Sequence, residues 1–142
     1  MTVHDPINSP RHYIGDGLEV IDVIEDWGLN FHLGNVLKYL LRAPHKGRLY
    51  EDLGKAKWYA SRCERDGVID HIACENAPFT IGVFKVQTDF KVRPRVLINA
   101  IDDVHRAALS FDRQQRRDAI NGIIDCTNLA LAWFEVEGGK AL

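Results

Sequence analysis

The strongest constraint on the fold lies between Leu33 and Tyr59, where two apolar stripes at helical spacing flank a Pro/Gly turn. In the run LGNVLKYLLRAPHKGRLYEDLGKAKWY, the residues Leu33, Val36, Leu37, Leu40 and Leu41 repeat as one face of an α-helix does. Asn30 suits the N-cap of that helix and Pro44 stops it. His45-Lys46-Gly47-Arg48 makes the turn. A third helix is then expected from about Tyr50 to Arg65, with Leu53, Ala56, Ala60 and Cys63 facing inward. Upstream, Asp16 to Glu19 has the spacing of a capping box, with Asp16 as N-cap. The helix it opens puts Val20, Ile21, Val23, Ile24 and Trp27 on an apolar side and Glu19, Asp22 and Asp26 on the other, ending at Gly28.

The remainder reads as a linker and a second helical unit. Phe79, Ile81 and Val83 alternate, followed by Phe84 and Val86, then Phe90 and Val92, which fits a short β-hairpin turning at Gln87 to Asp89. After Arg93-Pro94-Arg95, the stripe Leu97, Ile101, Val104 and Ala108 predicts a helix. Ser110 or Asp112 caps a long last one carrying Ile120, Ile123, Ile124, Thr127, Leu131 and Phe134. Ala119, Ala130 and Trp133 give that helix a second apolar edge, which predicts burial between layers or a homo-oligomer contact. The expected fold is mainly α, a small helical bundle of three N-terminal helices plus a C-terminal helical hairpin, with the β-hairpin between. The expected segments are a polar arm over 1–12, a three-helix unit over 13–65, a linker over 66–95 and the hairpin over 96–137.

Charge is segregated along the chain. From Met1 to Leu37 the one cation is Arg11, against Asp5, Asp16, Glu19, Asp22, Glu25 and Asp26. From Lys38 to Arg65 eight cations face Glu51, Asp52 and Glu64. Such segregation predicts acidic and basic walls facing one another or a ligand. A net charge of −2 gives no global basic excess, so no broad nucleic-acid surface is expected. Three widely spaced cysteines without a C-x-x-C read as reduced thiols, and no apolar run has the length of a membrane span, which together predict a cytoplasmic protein.

Asn35, Lys38 and Arg42 form a polar line at i, i+3 and i+7 along the second helix. Arg offers a planar fork, Lys a point charge and Asn an amide, the donors that a phosphate with an attached base or sugar requires. Lys46, Arg48 and Lys55 extend this set across the turn, and Gly47 lets the backbone come close to a ligand. Gly34 inside a strong helix costs about 1 kcal/mol relative to Ala, so either close helix packing or room for a base is expected there. Gly54 raises the same question, with the two glycines facing each other as one answer. Glu19 and Asp22 are the candidate Mg²⁺ carboxylates, against a solvated helix face as the plain alternative. His12 and Tyr13, just before the first helix, have the chemistry to cover a ligand, against anchoring of the loop by Tyr13. Neither a Walker loop nor a dinucleotide fingerprint nor a nucleophile elbow is present.

The pattern Pro10-x-His12-Tyr13, Glu19-x-x-Asp22, Gly34-Asn35-x-x-Lys38-Tyr39-x-x-Arg42-Ala43, Lys46-Gly47 and Asp52-Leu53-x-Lys55-Ala56-x-x-Tyr59 resembles a small bacteriophage family labelled SaV-like, a domain of unknown function. The resemblance covers about residues 9 to 63 and implies a relative of a phage deoxynucleoside monophosphate kinase unrelated to P-loop kinases. It makes Asn35, Lys38, Arg42, Lys46 and His12 nucleotide contacts. The leading expectation is a nucleotide-binding protein of the host cytoplasm during infection. It transfers phosphate from a nucleoside triphosphate to (deoxy)nucleoside monophosphates, with Lys38 and Arg42 as the catalytic cations and Mg²⁺ as cofactor. A non-catalytic protein that sequesters nucleotides or nucleotide signals is the alternative. A metal-dependent nucleotide pyrophosphatase is the second.

Overall fold

The computed structural model describes residues 17–45 and 47–137. Those residues form six α-helices and one 3₁₀ turn, so the fold is all-α, in line with the helical spacing. Helix α1 (Val20–Trp27) is capped by a reciprocal box in which the Glu19 N–H donates to Asp22 Oδ2 at 2.8 Å and Glu19 accepts in return. The observed N-cap is thus Glu19, three residues later than the sequence spacing predicts, and Asp16 lies outside the described residues. Gly28 ends α1 in the left-handed region at φ 61°. A Cβ there would stand 2.7 Å from Ala77 Cβ, so glycine is required twice over.

Helix α2 (Phe31–Arg42) begins where expected, with Asn30 Oδ1 accepting from the Leu33 N–H at 2.9 Å. Its buried face is the predicted leucine and valine stripe. Helix α3 (Leu49–Arg62) returns against it. A 3₁₀ turn at Ile69–His71 follows, and then α4 (Val83–Asp89), α5 (Arg95–Leu109) and α6 (Arg113–Glu137). Asp112 caps α6, its Oδ1 accepting from the Gln115 N–H at 2.8 Å. The α2–α3 hairpin packs on the α5–α6 hairpin, α2 against α5 and α3 against α6, with α1 on α2 and α4 on α5. Leu33, Leu37, Leu53, Ile101, Ile120 and Ile123 belong to one continuous core.

The expected β-hairpin over Phe79 to Val92 is replaced by α4, and no strand occurs among the described residues. Two facts explain the difference. Val83, Val86 and Phe90 stand at i, i+3 and i+7, and all three pack on the core, while Phe84, which alternation would pair with Val86, is 78% exposed. The Asp26 carboxylate also claims the Thr80 and Ile81 N–H groups at 3.1 and 2.8 Å, together with the Thr80 hydroxyl at 2.7 Å, removing donors a ladder would use. Asp26 is therefore a buried clamp, where the sequence placed it on a polar face. Burial raises its pKa, yet these hydrogen bonds and the nearby His105 hold it below the ordinary carboxylate value.

The segment 66–95 is tied to both hairpins. Arg113 forks onto the Asp70 carboxylate, Arg116 donates to the Ile69 and Asp70 carbonyls, and Arg117 lies near Asp66. These arginines hold the 3₁₀ turn against α6. On α6, Ala119, Ile120, Ile123, Thr127 and Ala130 are buried and Leu129 is 65% exposed. Cys63, Cys74 and Cys126 are free, and burial, with Glu64 adding to it, pushes the Cys63 thiol up to about 12. Among the described residues no helix is long and apolar enough to cross a membrane.

His105 on α5 packs edge-on against Trp27 at 4.7 Å and Phe79 at 6.0 Å. Burial lowers its pKa below the ordinary 6.5, against the opposing pull of Asp102 and Asp26. The unfolded chain therefore takes up a proton at this site before the folded one does, and stability falls as pH drops below about 6.5. The urea midpoint of wild type is expected to decline from pH 7 to pH 5, and the decline to flatten in His105→Gln. An equally steep decline in that variant would remove His105 as its source.

Candidate functional site

The exposed seam between α2 and α3 gathers three of the polar residues singled out by the sequence, Lys38, Arg42 and Lys55. The two helices run antiparallel, which brings Tyr39 and Tyr59 into a stacked pair with centroids 6.0 Å apart and planes 16° apart. Lys38 Nζ lies 4.7 Å from the Tyr39 ring centroid and Lys55 Nζ 5.4 Å from it. Two ammonium groups from two helices thus converge on one aromatic ring. Their mutual repulsion is offset by the ring's negative face and by Glu51, whose carboxylate stands 3.4 Å from Lys55. The aromatic surface continues past Tyr59 to Phe31 at 5.9 Å, His32 at 6.5 Å and Trp58 at 4.9 Å, and the Arg62 guanidinium lies over Trp58. Phe31 is 71% exposed, which leaves its ring open to stacking.

On the α1 side of α2 a recess of about 220 Å³ opens, lined by Ile24, Leu29 and Phe31, with Gly34 among its walls and Asn35 and Lys38 beside it. A Cβ on Gly34 would meet Ile24 at 3.5 Å, an ordinary contact, so close packing does not demand glycine there. The missing side chain leaves room in the recess instead. Gly54 has nothing within 4 Å of a would-be Cβ, so the two glycines do not face each other. Asn35 Nδ2 donates to the Phe31 carbonyl of its own helix at 2.8 Å.

At the other end of the seam, Arg42 faces Asp52. The Asp52 side chain is 1% exposed, and neither carboxylate oxygen has a hydrogen-bond partner. Arg42 Nε, also buried and unpartnered, is 3.7 Å from Asp52 Oδ2. Such a pair is close enough for Coulomb attraction and too far for a hydrogen bond. In the sequence Asp52 stands among the anions that face the eight cations, with no role assigned to it. Its place three residues before Lys55 and seven before Tyr59 was the available signal, since that spacing sets all three along the seam.

The structure thus brings Lys38, Lys55 and Arg42 to one seam, with Asn35 beside Lys38 in the recess. Arg48, 61% exposed, lies 4.0 Å from the same Glu51 carboxylate that pairs with Lys55. His12, Tyr13 and Lys46 lie outside the described residues. Glu19 and Asp22 engage each other in the α1 cap, and no group of three or more metal-ligating side chains occurs among the described residues.

Every residue named on this seam except Arg62 falls within one matched segment. Residues 7–61 match DUF3310, a protein family of unknown function. No curated protein and no solved structure matches the chain. The DUF3310 segment holds α1, α2 and nearly all of α3, while α4, α5 and α6 lie beyond it. Of these, α5 and α6 pack on the inner faces of α2 and α3 and leave the seam on the outside.

Proposed function

We propose that the α2–α3 seam binds a nucleotide and that the protein is a phage-type, non-P-loop kinase of (deoxy)nucleoside monophosphates. The observation that carries this reading is the convergence of Lys38 and Lys55 on the Tyr39 ring, a short step from Arg42. Phosphate groups take the cations, and the base takes the recess at Gly34 with Phe31 and Asn35. The acceptor monophosphate oxygen attacks the terminal phosphorus of a nucleoside triphosphate. The bond from that phosphorus to the bridging oxygen breaks, and two diphosphates leave. Lys38 and Arg42 stabilise charge on the oxygens during transfer, a task of positioning more than of covalent chemistry. The donor set on this face is cationic, so the seam does not build a magnesium site of its own. Mg²⁺ would arrive bound to the triphosphate and would neutralise part of its charge.

The test is incubation of the full chain with a deoxynucleoside monophosphate and a triphosphate, in Mg²⁺ or EDTA, with the products resolved. Diphosphate formation that falls about 100-fold or more in Lys38→Ala and Arg42→Ala supports the kinase. Unchanged turnover in both variants rejects it. Stoichiometric binding without turnover replaces it with sequestration, and release of pyrophosphate replaces it with a pyrophosphatase.

A further inference from the structure

The Arg42–Asp52 pair breaks the rule that buried polar groups are hydrogen-bonded, and it does so three times, at Arg42 Nε and at both oxygens of Asp52. Well-formed charge-assisted bonds of this type span about 2.7–2.9 Å. The observed 3.7 Å separation is within an ångström of that. Asp52 is buried in the first turns of α3, too deep to meet a ligand itself, whereas the Arg42 side chain is 39% exposed.

We infer that Asp52 is the positioning residue of the phosphate site: it seats Arg42 through Nε, leaving the two terminal amino groups as a fork for an oxyanion. The inference rests on the phosphate-binding reading of the seam. The seat is open: Nε and Oδ2 stand 3.7 Å apart and neither has a hydrogen-bond partner. An oxyanion gripped by the fork fixes the guanidinium plane, and Nε closes onto Oδ2. Functional hydrogen bonds that are long in the free protein commonly tighten in this way on binding. Lys38 and Lys55 hold the remaining anionic charge about one helical turn away, ~6 Å along α2.

The experiment titrates the full chain with inorganic pyrophosphate by calorimetry and measures the ligand-free thermal midpoint. Asp52→Asn is expected to weaken binding roughly ten- to a hundredfold, the range of a hydrogen bond to a charged group. Its ligand-free midpoint is expected to hold or rise, because a buried carboxylate charge without a hydrogen-bond partner is removed while the Arg42 side chain, 39% exposed, keeps access to water. A structural role would move both readouts downward together. Arg42→Lys keeps the charge and loses the seated fork, so it should weaken wild type and add little in the Asp52→Asn background. Wild-type affinity in Asp52→Asn, or in Arg42→Lys should the first variant not fold, overturns the inference. So does a loss of affinity that tracks a fallen midpoint. Binding that depends on Lys38 and not on Asp52 overturns this inference alone, and absence of wild-type binding overturns the phosphate site with it.

Discussion

Asp26→Ala is expected to lower the free energy of unfolding by about 3–5 kcal/mol, the range for losing several hydrogen bonds to one buried charge. Asp26 is 7% exposed and its carboxylate takes three donors from Thr80 and Ile81, while its own backbone carbonyl accepts from the Phe79 N–H at 2.9 Å. Truncation strands two backbone N–H groups in the loop that leads into α4. It also frees the Ile81 carbonyl that accepts from Trp27 Nε1 at 2.7 Å. Because the folded pKa lies below the ordinary 3.8, this contribution is present above that value and is lost as pH falls through the folded pKa. Urea unfolding at pH 7 measures the loss, and Asp26→Asn should fall between wild type and Ala. A cost under about 1 kcal/mol, the worth of one ordinary neutral hydrogen bond, would show that the clamp does not hold the loop.

The largest functional effect is expected from Lys38→Ala combined with Lys55→Ala. Each ammonium lies over the Tyr39 ring, and together they supply the two cations that reach the seam from opposite helices. Removing both should weaken pyrophosphate or nucleotide binding about 100-fold, close to 3 kcal/mol. The salt dependence of whatever binding remains should shrink as well. Stability should change by no more than about 2 kcal/mol, since exposed cation–π contacts are worth about 0.5–1 kcal/mol each. Affinity retained within about threefold, or 0.6 kcal/mol, would place the anion elsewhere. A large fall in stability would make Tyr39 and its lysines a packing unit instead.

How much of this was readable in advance divides by range. The cap at Asn30, the end at Gly28 and the buried stripe of α2 follow from residues within a few positions of one another, and the sequence locates all three. The helix over 83–89 did not announce itself. A short segment with both alternating and helical spacings takes the period that its surroundings reward, and here Asp26, more than fifty residues earlier, helps decide it. The aromatic ladder from Phe31 to Trp58 was likewise hidden, because nothing in a helix's own pattern says whether an aromatic edge meets core or solvent.

By itself the amino-acid order determined that this protein would be helical, where its first helices turn, and that Asn35, Lys38 and Arg42 share an edge of α2. Helical periodicity and capping act over three or four residues, so a linear pattern contains them. Only the tertiary structure decided that Asp26 and Asp52 are buried and that Lys55 meets Lys38 at one ring. Burial and charge convergence depend on which element lies opposite, and the packing of α2 against α3 and α5 settled that.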